Sequence, residues 1–530
     1  MRAWIATLAG LAGLSCGCSS SAPTERSPAP ATPAAPAPTG QAAPAAADAR
    51  PAPPRRNELP EGDIVTADVL KMNGANYGRP AATFRRGSVS PIPAPSATRT
   101  KAGFQVQFAS HATITTPTVY EREVIVSGGF QGKELYAYEA TSGNPIWGID
   151  LGDDGPSSPA CENQVCVVNT ESCTIFAVDA KSGKHLWSYY LGDPLTSAPT
   201  IAGNRVFASY PAGGAENGKP PPPNANHALA AFDLKTGKIL WQKWLDADVM
   251  SAPVAVGEFV YVTTFNGTVI KFEQATGKIR YAMRAKATSA PVIQFDDKGV
   301  ESMYYTRKLE AAKPDDAPEE AVIRADHNEP KTKYEAAKKK ADYIDRKVQA
   351  KSAHQKASDD NDAHNGFSGG APASAGGSYA ADSVGVANVS SMQGWQGSRV
   401  VHLRDRNVNT MGDEVIATDA DNGKTLWSYK LSGNLQQQGG FLGTAPLAAG
   451  SSILLATLDG KVLRLDQKSG KQVASYAVSS PVRSQPVVAD GWIYVGTEDG
   501  KLVAIDTKDK SITGWPTWGG NAQRTGIAKY

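Results

Sequence analysis

The sequence predicts an all-β propeller of four-stranded blades, and three observations carry that prediction. A turn phrase with an acidic residue, a glycine and a closing tryptophan recurs along the chain. A small polar residue, any residue and a proline stand upstream of each copy. The distance from that proline to the turn glycine is almost constant.

The turn phrase reads Ala177-Val178-Asp179-Ala180-Lys181-Ser182-Gly183-Lys184-His185-Leu186-Trp187 in one copy, and it returns at Ala231–Trp241 and Ala417–Trp427. Weaker copies centre on Gly143, Gly277, Gly470 and, with the glycine lost, Lys510. The upstream prolines are Pro117, Pro159, Pro199, Pro253, Pro291, Pro446 and Pro486. Pro159 lies 24 residues before Gly183, and the same 24 separate Pro253 from Gly277, Pro446 from Gly470 and Pro486 from Lys510. Pro117 to Gly143 spans 26, Pro199 to Gly237 spans 38 and Pro291 to Gly423 spans 132. Seven phased units with two insertions account for the body of the chain.

Within a unit the pattern is strand-like. Phe259–Thr263 is β-rich, Asn266-Gly267 makes a tight hairpin turn, and Val269–Glu273 returns. Four short strands, a to d, repeated at roughly 40 residues, form a propeller blade. Aspartate in the c–d turn accepts bonds from turn amides, and glycine supplies the positive φ. Trp147, Trp187, Trp241 and Trp427 end strand d in four units. There a large flat ring packs between blades and donates its indole N–H to a backbone carbonyl. Tyr281 and Ala474 stand at that place in two other units.

The Ala-x-Asp-x-x-x-Gly-Lys-x-x-Trp phrase resembles the tryptophan-docking motif of PQQ-like propellers. That superfamily holds quinoprotein alcohol dehydrogenases and the BamB-like lipoproteins of the outer-membrane β-barrel assembly machinery. Trp515–Gly526 also resembles a segment common in these repeats. The resemblance covers roughly residues 110–526 and implies the fold rather than an activity. A PQQ-like β-propeller is therefore expected over residues 104–526. Phe104–Phe108 alternates and is expected to complete the last blade beside Ile512–Trp518, which favours seven blades. Eight would require a further blade hidden inside the longer insertion.

Residues 1–17 read as a lipoprotein signal peptide. Arg2 precedes an apolar run to Leu14, about twelve residues and too short to span a bilayer. Leu14-Ser15-Cys16-Gly17-Cys18 resembles a bacterial lipobox, with Cys18 as the lipid-attachment residue and Cys16 as the alternative. Residues 18–60 are a Pro/Ala-rich tract, expected to be a disordered tether that reaches roughly 100 Å at full stretch. This pattern implies a protein anchored by lipid to the bacterial outer membrane. An exported chain tends to oxidise neighbouring cysteines. Cys161 and Cys166 flank a short turn and are the expected disulfide, with three thiols including Cys173 as the alternative.

The shorter insertion runs from Pro211 to His227 and the longer over residues 308–400, both between strands b and c. Connections b–c and d–a leave one face of a propeller, so both insertions should elaborate that face as a binding surface does. Residues 331–356 carry nine Lys/Arg against three Asp/Glu. Tyr334, Ala337, Ala341, Ile344 and Val348 recur at 3,4,3,4 spacing. This stripe predicts a helix within the fifth blade's insertion that docks on the propeller or a partner, a solvated helix being the alternative. Residues 366–391, rich in Gly, Ala and Ser, read as linker.

Lys+Arg 54 against Asp+Glu 52 argues against nucleic acid as a partner. Resemblance to the quinoprotein dehydrogenases would imply adjacent cysteines over the quinone, a catalytic aspartate and calcium ligands. No two cysteines are adjacent, no Cys-x-x-Cys-His occurs, and no acidic residue maps onto those positions. The seven histidines are scattered without metal-ligand spacing. No catalytic residue, metal or cofactor is expected. The expected function is a non-enzymatic scaffold that meets other envelope proteins through the b–c face. The alternatives are a PQQ-dependent dehydrogenase and a small-ligand sensor using the central channel.

Overall fold

The computed structural model describes residues 66–81, 87–170, 174–191, 197–309, 319–326, 329–340, 400–435 and 442–528, apart from single positions 213, 224, 250 and 286. These residues build eight antiparallel sheets, one more than the seven favoured from sequence. Blade 1 takes strands a to d from Thr118–Tyr120, Glu123–Ser127, Glu134–Glu139 and Pro145–Asp150. Blade 2 takes Ala160–Glu162, Val165–Asn169, Thr174–Asp179 and His185–Tyr190. Blade 3 takes Thr200–Ala202, Arg205–Pro211, His227–Asp233 and Ile239–Leu245. Blade 4 takes Val254–Val256, Phe259–Thr263, Thr268–Glu273 and Ile279–Arg284.

Blade 5 consists of Val292–Phe295, Glu301–Leu309, Glu319–Asp326 and Glu329–Lys340. Blade 6 consists of Val400–His402, Arg406–Met411, Glu414–Asp419 and Thr425–Lys430. The expected 308–400 insertion thus contains strands c and d of blade 5 and ends at Val400, where strand a of blade 6 begins. The extra blade was hidden because the 5c–5d turn lacks the Asp/Gly phrase, whose next copy belongs to blade 6. The helix predicted from Tyr334 is also corrected. Tyr334 and Ala337 lie in strand 5d, where Tyr334 is in register with Arg324, while Ala341, Ile344 and Val348 fall outside the described residues. Strand 5c needs a hydrogen-bonding partner along its whole length, and that pairing overrides a weak helical stripe.

Blade 7 consists of Leu447–Ala449, Ser452–Thr457, Lys461–Asp466 and Gln472–Ala477. Blade 8 supplies only a to c itself, Val487–Ala489, Trp492–Gly496 and Lys501–Asp506. Gly103–Gln107 serves as its strand d, with Phe104 paired to Ala504 and Val106 to Leu502. The early segment does close the ring, but on Lys501–Asp506 rather than beside Ile512–Trp518.

The small polar-x-Pro phrase has a mechanism in several blades. Its hydroxyl bonds to strand b of its own blade, as Thr115 Oγ1 to Ser127 Oγ at 3.0 Å and Ser197 Oγ to Ser209 Oγ at 2.6 Å. The carbonyls of Pro159 and Pro253 accept from the preceding blade, from Thr118 Oγ1 at 2.7 Å and Thr200 Oγ1 at 2.5 Å. The turn phrase likewise couples neighbours. Trp147, Trp187, Trp241 and Trp427 donate to the carbonyls of Ala180, Leu234, Gln274 and Gln467 at 2.8–3.0 Å. Each acceptor directly follows the acidic turn residue of the next blade.

Where tryptophan is missing, other donors reach the equivalent carbonyl. Tyr494 of blade 8 bonds Ala140 at 2.9 Å, and Arg324 of blade 5 bonds Ala420 at 3.0 Å. Between blades 4 and 5 a buried network replaces the motif. Glu301 accepts from Tyr261 at 2.9 Å and Tyr281 at 2.6 Å and pairs with Lys271. A carboxylate so buried needs that full set of donors.

Candidate functional site

A ring of eight blades leaves a central channel lined by the unpaired inner edges of the a strands. Here the chain's own tail runs along those edges. Trp515 pairs with Val488 of blade 8, and the Pro516 carbonyl accepts from Val119 of blade 1 at 2.6 Å. Ala522 and Gln523 carbonyls accept from Ile201 of blade 3 at 3.0 Å and Ala255 of blade 4 at 2.9 Å. Gln523 Nε2 reaches Glu162 of blade 2 at 3.0 Å, and Gly526 accepts from His402 of blade 6 at 3.0 Å. One short segment therefore bonds to six blades.

Arg524 holds this tail in place and is only 1 % exposed. Its Nη2 donates to the carbonyls of Ser158, Pro159 and Pro199 at 3.2–3.3 Å. Its Nη1 donates to Thr517 Oγ1 at 3.1 Å and the Trp518 carbonyl at 2.9 Å, and the guanidinium lies 4.9 Å from the Trp518 ring centroid. Burial pushes its pKa down to about 9, so it remains charged at neutral pH. The fork geometry of arginine suits several carbonyls better than a lysine ammonium would. Sequence reading singled out the Trp515–Gly526 segment but not this role. A lone arginine beside Trp518 carries no periodic signal.

His402 shows how the seat is built at blade 6. Its ring stacks on Tyr304 with centroids 4.8 Å apart, and Nδ1 donates to Asn407 Oδ1 at 2.7 Å. Its buried Nε2 has no hydrogen-bond partner among the described residues. Burial holds the pKa below the ordinary 6.5, and Arg324 adds to that, against the Asn407 bond and the charges of Asp405 and Asp421. The folded state therefore resists protonation while the unfolded chain accepts it. Its contribution is fully present above pH 6.5 and is lost as pH falls below that value. His402→Gln should flatten the decline of stability between pH 6.5 and 5, by at most about 1.4 kcal/mol per pH unit. Urea midpoints measured across this range for both proteins check it, and equal slopes would refute the assignment.

The remaining sequence candidates are placed as follows. Cys161 and Cys166 face each other across strands 2a and 2b and are joined as a disulfide, with Cα atoms 4.1 Å apart. Cys16, Cys18 and Cys173 lie outside the described residues. Among the described residues, no group of three His, Cys, Asp or Glu side chains is placed to hold a metal ion. Residues 212–226 join strands b and c of blade 3, and 310–318 do so in blade 5. Residues 341–399 join strand d of blade 5 to strand a of blade 6.

Eight four-stranded blades, four of whose junctions use this turn phrase, define a PQQ-like repeat propeller. The family model described as outer membrane protein assembly factor BamB matches residues 106–216, 223–304 and 392–519, more than half of the chain. The chain belongs to that family. BamB of Bordetella pertussis is 33 % identical over 92 residues, covering 17 % of this chain and 19 % of that protein. BamB of Yersinia pestis is 28 % identical over 122 residues, covering 22 % and 30 %. The matched stretch is thus under a third of either relative. Among solved structures, BamB from Moraxella catarrhalis is similar with a TM-score of 0.47 and 14 % identity, covering 79 % of this chain and 97 % of that one. A europium-containing methanol dehydrogenase has a TM-score of 0.46 and 14 % identity, covering 80 % and 87 %.

Proposed function

We propose that this protein is a non-enzymatic scaffold of the bacterial envelope, lipid-anchored at Cys18 to the outer membrane, where it assists outer-membrane protein assembly. The observation that carries this reading is the division of labour between channel and face. The inner edges, where a channel ligand would bind, are bonded to the chain's own residues 515–528. Three connections that depart from the repeat, 212–226, 310–318 and 341–399, leave the b–c and d–a side. Insertions between the strands of a ring of sheets suit protein recognition. Family membership supports the assembly role, and the lipobox-like Leu14–Cys18 supports the anchor.

The test is in-cell crosslinking and pull-down of the tagged protein, with and without residues 341–399. The full chain should capture components of the outer-membrane assembly machinery. The deletion should reduce that capture at least tenfold while leaving the melting temperature unchanged. Capture of the same partners by both forms would place the contact elsewhere, and failure to recover assembly components would overturn the role itself.

A further inference from the structure

We infer that the cleft between the N-terminal segment and blade 3 is a binding site for a phosphate group. Helix α1, Thr66–Met72, packs against the outer strands of blades 3 and 4, and the chain on to Pro80 runs against the 212–226 connection. Asn73 clamps Trp244, accepting from its amide at 2.8 Å and donating to its carbonyl at 3.1 Å. Trp244 Nε1 donates to the Gly78 carbonyl at 2.8 Å. The Glu216 amide bonds the Arg79 carbonyl at 2.9 Å, and Gly78 N–H bonds that of Pro220 at 3.2 Å. The walls are therefore fixed by backbone and buried contacts rather than by the cations themselves.

Between these walls lies a cavity of about 320 Å³. Arg79 from the N-terminal segment, Lys219 from the connection and Lys243 from strand 3d line it, beside the amides of Asn73, Asn217 and Gln242. No described lining residue is acidic. Lys219 Nζ is already bonded to the Ala75 carbonyl at 2.7 Å, which holds its charge at the rim. Burial and the charge of Arg79 both push the Lys243 pKa below its ordinary value, and no carboxylate acts on it in the opposite direction. Two cations held together with no counter-charge gain most from a ligand that brings one.

The chemistry selects phosphate over a plain apolar or cationic ligand. A guanidinium fork, two ammonium groups and the side-chain amides of Asn217 and Gln242 match the oxygen acceptors and negative charge of a phosphate group. The volume exceeds that of the phosphate alone, leaving room for the group that bears it. That group is either a small soluble ester or the headgroup of a lipid, and the test separates the two. The proposal is independent of the scaffold reading, because it concerns a small anion and not the protein partner.

The experiment titrates the full chain with inorganic phosphate and glycerol 3-phosphate, read by phosphorus NMR line broadening. In parallel it measures co-sedimentation with phosphatidylglycerol and phosphatidylcholine vesicles. Arg79→Gln with Lys243→Gln should weaken the responding probe by about tenfold or more, at an unchanged melting temperature. Lys181→Gln, a substitution at an exposed turn of blade 2, should leave it unaltered. Saturable binding of the soluble anions identifies a free phosphate ester. Loss confined to phosphatidylglycerol vesicles identifies a headgroup. Absence of saturable binding to every probe, or binding that the double variant retains, overturns the proposal.

Discussion

Truncating the chain after Gly514 should lower its melting temperature by on the order of 10 °C. Trp515 and Trp518 are 1 % and 3 % exposed, and they leave with the tail. Each buried tryptophan contributes about 3–5 kcal/mol by comparison with large-to-small substitutions. A propeller of this length unfolds with about 2 cal/mol/K of entropy per residue, which converts that loss into the stated shift. The vacated inner edges would be hydrated, so they add little. Arg524→Ala in the full chain is more specific. It takes the arginine donor from the buried Ser158 and Pro199 carbonyls, Pro159 keeping its bond from Thr118, and should cost about 3 kcal/mol. Arg524→Lys should recover less than half, because one ammonium cannot serve both sets of acceptors. Differential scanning calorimetry of the three proteins decides the matter, and a truncated chain that melts with the parent would mean the tail does not seat in the channel.

The docking of one blade on the next should show strong coupling between Trp187 and Gly237. Trp187 donates to the Leu234 carbonyl and stacks on Phe232 with centroids 5.8 Å apart. Gly237 lies under the same indole at φ +70°, and a Cβ there would stand 2.6 Å from the ring. Trp187→Ala should therefore cost about 3–5 kcal/mol. Gly237→Ala should cost about 3 kcal/mol in the parent, part from the collision and part from the left-handed backbone. Without the indole only the backbone part survives, about 1 kcal/mol. The resulting coupling of about 2 kcal/mol far exceeds the 0.3–0.5 kcal/mol scatter of independent sites. Urea denaturation of the four proteins measures it. Additive effects would show that the two residues do not share one contact.

Much of the blade was legible because it is local and repeated. Asp179 Oδ1 accepts the Ser182 amide at 2.9 Å, and Gly183 takes φ +66°, as the turn chemistry requires. The same residues did not reveal their partners. Trp147 belongs to one blade's phrase and Ala180 to the next, so the phrase reads as one unit while its bond joins two. Blade 5 escaped notice for the complementary reason. Its contact with blade 6 uses Arg324 and Tyr304 in place of the tryptophan, and no repeated spacing announces either. The stripe from Tyr334 misled because a short helical period in a charged segment is weaker than the demand of strand 5c for a neighbour.

The sequence by itself determined the four-stranded unit, its turns, the tryptophan positions and membership of the PQQ-like class. These depend on hairpin geometry and alternation over a few residues, and repetition makes them visible. Only the tertiary structure decided that there are eight blades, that Gly103–Gln107 pairs with Lys501–Asp506, and that residues 515–528 occupy the inner edges. It also brought Arg79, Lys219 and Lys243 to one cleft. Those features join residues far apart in the chain, and their bonds run largely through backbone groups that every sequence possesses.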